Sequence, residues 1–321
     1  MTASVRLQSL DVVRGVAVMG ILLLNIVSFG MPEGAYFNPR AYGGAEGADL
    51  WVYLFNFVLF DGKMRGLFSF LFGASMLLVI ERAEASERSP ARVHYLRMAW
   101  LLLFGFVHLF LVWHGDILAH YAMIGMIAFA ARNMPVSRLV ILGIMLICAS
   151  LVIAAGLPFM IHQLLQPSAN AAEAADKAKQ LQDFINGFGV PPLAETAKQL
   201  ALHRGDYAGI FADRAATSAR MIPASLILFG PETLAYMLFG MASLRSGMLR
   251  GEWASPRYLK WLLVCWGIAV PVYIALAYYL VHAQFGLFAI VLGAMLLTGP
   301  VRPLMFIGWA CLILLLARAG G

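Results

Sequence analysis

Nine apolar runs follow one another along the chain: roughly residues 12–29, 50–80, 96–113, 116–131, 138–160, 222–243, 259–281, 284–299 and 302–317. Most carry close to the twenty residues that an α-helix needs to cross a bilayer. The pattern therefore predicts an all-α, polytopic integral membrane protein of about nine transmembrane helices. The second run is too long for one straight helix, and Asp61-Gly62-Lys63-Met64-Arg65 interrupts it. An interfacial or entering stretch over 50–61, followed by a span over 64–80, is the expected solution. Unpaired backbone is not tolerated against lipid, so the break should face protein or water.

Polar residues collect in the connections. Residues 162–220 form the one sizeable polar stretch, predicted as an amphipathic helical insertion. Asn170 to Asn186 groups Leu181, Phe184 and Ile185, with Asn186-Gly187 as its stop. Pro191-Pro192 resets the chain before a second helix to about His203, and Arg204-Gly205-Asp206 reads as a turn. The insertion is either a cap lying on the membrane surface or a lid over a binding surface.

Composition agrees with the pattern. Of 321 residues, 61% are hydrophobic and 12% charged, with a mean hydropathy of +0.80. Soluble chains are nearer half apolar and a quarter charged. A soluble globular enzyme, a disordered chain and a nucleic-acid module are excluded. The net charge of +6 reads as an orientation signal once it is mapped. Arg82, Arg88, Arg92 and Arg97 follow the second run. Arg132 and Arg138 follow the fourth, Arg245, Arg250, Arg257 and Lys260 the sixth, and Arg302 the eighth. Every second connection is basic, which places the N-terminus in the cytoplasm and 162–220 outside. The first run, with Asp11 and Arg14 at its mouth and no small-residue cleavage pattern, reads as a retained helix rather than a signal peptide. Cys148, Cys265 and Cys311 lie inside apolar runs with no CxxC pair, so neither a disulfide framework nor a zinc site is implied.

Ionisable groups within spans are costly and mark candidate sites. Asp11 and Arg14, three apart, share a helix face and can pair; Arg14 could also hold a phosphate-bearing group. Asp61, Lys63 and Arg65 either snorkel to the interface or line a polar cavity that holds an anionic headgroup. His108, Asp116 and His120 form the densest group, within HLFLVWHGDILAHYA around a tight turn at His114-Gly115. Asp116 and His120 are four apart, so a carboxylate could orient an imidazole as a general base. The other reading has Asp116 capping the helix that starts there and His120 filling a wet interface. A metal reading lacks a third ligand at characteristic spacing. His108 lies deeper and needs a partner. Glu232 follows Pro231, which kinks its helix; it needs a cation such as Lys63 or Arg65, or else carries its proton. Asn25 reads as interhelical glue.

Several stretches together resemble one family. RLQSLDVVRGVAVMGILLLNIVSFGMP (Arg6 to Pro32), DGKMRGLFSFLFGASM (Asp61 to Met76), GFVHLFLVWHGDILAHYAMIG (Gly105 to Gly125) and AYMLFGMASLRSGML (Ala235 to Leu249) are similar, in order, to the YeiB-like bacterial membrane proteins, a domain-of-unknown-function family. The resemblance implies kinship with a superfamily of transmembrane acyltransferases. The shared mark, LD-x-x-RG, is carried by Leu10, Asp11, Arg14 and Gly15. It implies a bacterial cytoplasmic membrane location, no tightly bound cofactor, and acyl-CoA as co-substrate with a sugar or lipid-linked acceptor across the bilayer. In one branch an Arg is followed after ten residues by a catalytic His, but the matching position here is Asn25. In another branch the active His lies in the first outer loop, and loop 30–49 contains none. Proton transfer would then fall to His108 or His120. The family also continues past the equivalent of Arg318, so the chain reads as truncated relative to it. The alternatives are a transporter or flippase that uses Asp61, Lys63, Arg65, Asp116 and Glu232, and a non-catalytic membrane component. Oligomeric state is open.

Overall fold

A computed structural model describes residues 8–319. Arg6 and Leu7, which open the first family-like stretch, and the terminal Gly320-Gly321 lie outside the described residues. The described chain is helical throughout, without a strand: α1 (Gln8–Gly30), α2 (Gly47–Leu59), α3 (Lys63–Ala85), α4 (Pro90–Val107), α5 (Leu118–Ala128), α6 (Val136–Leu164), α7 (Ala171–Phe188), α8 (Leu193–His203), α9 (Tyr207–Arg245), α10 (Ser255–His282), α11 (Leu287–Ala289) and α12 (Arg302–Ala319). π-helical turns extend α4 over His108–Val112 and α11 over Ile290–Leu296. Every predicted apolar run is helical. Among the described residues seven helical stretches are long and apolar enough to cross a membrane, and Leu118–Ala131 and Leu287–Leu296 are shorter.

Local chemistry starts these helices where the sequence places polar residues. Ser89 accepts the Arg92 N–H ahead of Pro90 at the head of α4. Asn170 accepts the Glu173 N–H at the head of α7, and Asp206 accepts the Gly209 N–H at the head of α9. Each satisfies an amide that the first turn leaves open. The Asn186-Gly187 stop is not observed: α7 runs on to Phe188. Glycine at a helix end favours termination but costs only about 1 kcal/mol within a helix, and the Phe188 ring packs 5.0 Å from Phe37. The insertion is also shorter than expected. α6 reaches Leu164 and α9 begins at Tyr207, so long helices absorb both its ends.

The residues facing outward are apolar. Val18, Met19, Leu22 and Ile26 of α1 and Ile141, Ile144, Met145 and Val152 of α6 are exposed, as expected where lipid is the solvent. α3 and α9 form the buried centre. At their crossing a Cβ on Gly73 would meet the Met237 carbonyl, and one on Gly240 would meet the Phe70 carbonyl. Reciprocal glycines let the two backbones touch. Gly240→Val should therefore cost about 3 kcal/mol through overpacking, read as a lowered unfolding midpoint in detergent; an unchanged midpoint would place the crossing elsewhere.

Two paths through the bundle are broken. α2 and α3 join through Phe60–Gly62, where Gly62 has φ +69°, a value that a residue with a side chain adopts at a cost. The turn at 297–301 joins the π turn of α11 to α12. Arg40 donates to the Gln284 carbonyl at the end of the bundle where α1 finishes, and Arg318 reaches Gly251 beside the start of α10. Residues 287–319 thus lead from one end of the bundle to the other in two halves, as residues 47–85 do. The breaks meet: Trp309 Nε1 donates to the Leu59 carbonyl at 2.9 Å, and a Cβ on Gly62 would lie 2.8 Å from Arg302 Nε. Arg302, read from sequence as a surface-loop charge, is buried at this junction with a side chain only 12% exposed.

Candidate functional site

Three polar regions lie in sequence from one end of the bundle to the other. Beside the first turns of α1, a cavity of about 190 Å³ is lined by Arg14, Ser75, His94 and Arg97 among apolar neighbours. Arg14 pairs with Asp11 at 3.5 Å, as its spacing predicts, and its other nitrogen donates to Ser75 Oγ at 2.8 Å. His94 is buried, with Nε2 3.0 Å from the Gly125 carbonyl, so that nitrogen carries a proton. Neither Ser75 nor His94 carries a distinguishing sequence signal; both reach the cavity only through the packing of α3 and α4.

The second region centres on Glu232 in α9. Arg65 Nη2 lies 2.8 Å from Glu232 Oε2. Arg302 and the Tyr236 hydroxyl, the latter at 2.7 Å, both donate to Oε1. Arg302 also donates to Thr298 Oγ1 at 2.7 Å. Glu232 therefore meets Arg65 as expected, but its second cation is Arg302 rather than Lys63. Lys63 is wholly buried. Its ammonium donates to the Phe57 carbonyl and sits 3.4 Å from the Tyr273 ring centroid, a cation–π contact. Asp61, Lys63 and Arg65 do not line one cavity together. The helix starts at Lys63, and successive residues point about 100° apart around it.

The third region is the α4–α5 turn. His108 Nδ1 is 2.9 Å from Asp116 Oδ1, and Asp116 Oδ2 accepts the Ala119 N–H at 2.8 Å. The carboxylate is both a helix cap and a histidine partner, but the histidine is His108, not His120. The i, i+4 spacing would act only if Asp116 were helical, and α5 begins at Leu118. Asp116 sits in the cap, where its side chain turns back to the preceding helix. The π turn of α4 then aims His108 at it; such turns recur at functional sites. Because a carboxylate accepts, His108 Nδ1 carries the proton and Nε2 presents its lone pair. His120 belongs to the second region, with Nε2 3.0 Å from Thr233 Oγ1. Among the described residues Trp113 Nε1, Arg214 Nη1 and Ser218 Oγ are buried without hydrogen-bond partners. Burial holds the His114 imidazole below its ordinary pKa, against the opposing pull of the Glu33 carboxylate.

Asn25 is partly buried in the second half of α1, and among the described residues its side chain makes no hydrogen bond. Among the described residues no three His, Cys, Asp or Glu side chains converge as a metal site would require.

These features can be set beside known proteins. The chain is homologous to YeiB of Escherichia coli. That protein, named "Uncharacterized protein YeiB", is 32% identical over 266 residues, which is 82% of this chain and 62% of the relative. "Uncharacterized protein YxaH" of Bacillus subtilis is 30% identical over 60% of this chain and 48% of its own length. An uncharacterized 39.9 kDa protein of Bacillus acidopullulyticus is 31% identical over 38% of this chain and 33% of its own. The chain thus spans less than two thirds of the length of the curated relatives it matches. No family model matches it, and no solved structure matches it.

Proposed function

We propose that the protein is a membrane-embedded acyltransferase of the YeiB-like group, moving an acyl group from cytoplasmic acyl-CoA to a hydroxyl- or amine-bearing acceptor beyond the bilayer. The observation that carries this reading is the His108–Asp116 pair. A carboxylate fixes the tautomer, and Nε2 is left free to act as base. In the reaction, Nε2 takes the acceptor's proton as the acceptor oxygen or nitrogen bonds to the thioester carbonyl carbon. The C–S bond then breaks, and the departing thiolate receives the proton from His108. Asp116 orients the ring and stabilises its cationic form in between.

The donor's phosphates are assigned to Arg14 and Arg97 at the opposite end of the bundle. With Arg302 buried, the remaining basic connections still share that end, which supports placing it in the cytoplasm. α4 runs between the two regions: His94 and His108 are fourteen residues apart, about 21 Å along the helix axis. A pantetheine arm lying along α4 would bring the thioester to the pair.

The test is transfer from radiolabelled acetyl-CoA in membranes expressing the protein. Label reaching a membrane acceptor, and lost in His108→Ala at equal expression, supports the reading; no transfer with any of several acyl-CoA donors overturns it. Arg14→Gln should raise the KM for the donor about tenfold, the worth of one charge-assisted hydrogen bond, with kcat nearly unchanged.

A second reading rests on a different observation. Two interrupted helices whose breaks meet beside buried charges are a device of secondary transporters. Under that reading Arg65, Glu232 and Arg302 gate a pathway, and substrate uptake continues in His108→Ala.

A further inference from the structure

Three buried polar groups lie where the first turns of α9 meet the α4–α5 turn. Among the described residues Trp113 Nε1, Arg214 Nη1 and Ser218 Oγ have no hydrogen-bond partner, and Ser218 is only 2% exposed. Arg214 and Ser218 are four apart on α9 and share one face, on which Tyr207 also falls. The Tyr207 hydroxyl donates to the Leu111 carbonyl at 2.6 Å, which turns this face toward the π turn that ends α4. Trp113 directly follows that turn. Its ring is seated against Gly115, where a Cβ would strike it, and packs edge-on 6.4 Å from the His108 ring. The Arg214 charge acts on the imidazole of His114, the residue after Trp113. The junction thus borders the His108–Asp116 pair.

An indole N–H and a guanidinium only donate, the guanidinium always carries its charge, and a serine hydroxyl can donate as well. Leaving such groups buried and unpaired is costly. A buried water would satisfy the two neutral groups but brings no charge to Arg214. The nearby carboxylates do not supply it. Glu33 and Asp213 are exposed, and among the described residues neither forms an ion pair with Arg214. Asp116 spends its oxygens on His108 and Ala119. A cationic ligand would be repelled by Arg214, and a neutral one would leave its charge unanswered. An oxyanion offers lone pairs to all three groups and a counter-charge to the guanidinium.

We propose that Arg214, Trp113 and Ser218 bind an oxyanion, a carboxylate or a phosphate, and that this is the anchoring group of the acceptor that His108 deprotonates. The second half rests on the acyl-transfer reading; the oxyanion site itself does not.

The test follows the indole N–H signals of the full chain, labelled isotopically at its seven tryptophans, by NMR in dodecyl maltoside. The Trp113 signal is the one that Trp113→Phe removes. Sodium phosphate and sodium acetate are the probes, with sodium chloride at equal ionic strength as control. A saturable shift of the Trp113 signal is expected with at least one probe. Arg214→Gln and Ser218→Ala should each weaken binding about tenfold, the worth of one charge-assisted hydrogen bond. Unfolding midpoints give a second readout that needs no Trp113 variant. An active probe should raise the parent's midpoint and not that of Arg214→Gln. Without anion that variant should unfold within a few degrees of the parent, since it loses no partner. No saturable shift with either probe, an equal response to chloride, undiminished binding in Arg214→Gln, or an anion-free midpoint of that variant far below the parent's overturns the proposal. In phosphatidylglycerol nanodiscs, a Trp113 signal already at its bound position assigns a lipid headgroup, and one that still moves with the probe assigns a soluble anion; both uphold the oxyanion.

Binding is read without acyl-CoA, so an oxyanion bound where no transfer occurs keeps the site and discards the acyl-transfer reading. Transfer without oxyanion binding does the reverse. In the transfer assay, Arg214→Gln should lower the labelled product with the KM for acetyl-CoA unchanged. A raised KM for that donor overturns the assignment to the acceptor.

Discussion

Asp116→Asn should lower acyl transfer by roughly 10³- to 10⁴-fold, the scale on which histidine catalysis depends on its orienting carboxylate. Asp116 spends one oxygen on His108 and the other on the Ala119 amide. Asparagine is nearly the same size but has a single oxygen. If that oxygen keeps the Ala119 N–H, the side-chain amide nitrogen faces His108, and two donors cannot pair. The ring must then move its proton from Nδ1 to Nε2, which removes the lone pair that would take the acceptor's proton. If the oxygen turns to His108 instead, α5 loses its cap at a cost of about 1 kcal/mol, and the cationic ring loses its counter-charge. Measured together, a rate loss of this size beside an unfolding midpoint lowered by a few degrees at most is the expected pair of results. Unchanged transfer in a folded variant would remove the chemistry from this turn. A structural role alone would move the midpoint and leave the rate per folded molecule intact.

Glu232→Gln should cost about 3–5 kcal/mol, the price of leaving a buried charge without its partner. Here two guanidinium groups, from Arg65 and Arg302, converge on one carboxylate that also accepts from Tyr236. Glutamine preserves volume and one acceptor oxygen but removes the charge that lets both arginines sit between helices. Unfolding followed in detergent should show the loss. A double variant, Glu232→Gln with Arg302→Met, should recover part of it, because one of the uncompensated cations is gone. If the single variant unfolds with the parent, the triad is too well hydrated to hold the two helix breaks together. Since α9, α3 and α12 each contribute one charge, the same experiment reports on how firmly those breaks are joined.

The contrast between these two sites shows what the sequence made readable. Glu232 was conspicuous as a carboxylate beside proline in an apolar run, and so was one partner, Arg65. Arg302 was not, because Thr298-Gly299-Pro300 before it reads as an ordinary loop and a basic loop residue fits the orientation rule. The available signal was length: the last two apolar runs, 284–299 and 302–317, are each short for a full crossing and are separated by a single charge. That is the same signature as Asp61-Gly62-Lys63 in the second run. At the α4–α5 turn all three candidate residues were visible, but their pairing was not. Helical spacing joins Asp116 to His120 only inside a helix, and the first helical residue falls two positions later.

The membrane setting, the approximate limits of the apolar runs, the interruption after Asp61 and the residues able to carry chemistry can all be read from the chain's order of residues. These follow from local rules: lipid demands about twenty apolar residues per crossing with every backbone group paired, and charges within such runs are conspicuous. Which charges meet is set by packing between distant helices. The partners of Glu232, separated from it by 167 and 70 positions, are chosen by how α3, α9 and α12 pack. The glycines at the α3–α9 crossing set that approach, and a buried ion pair is favourable only at the distance it produces.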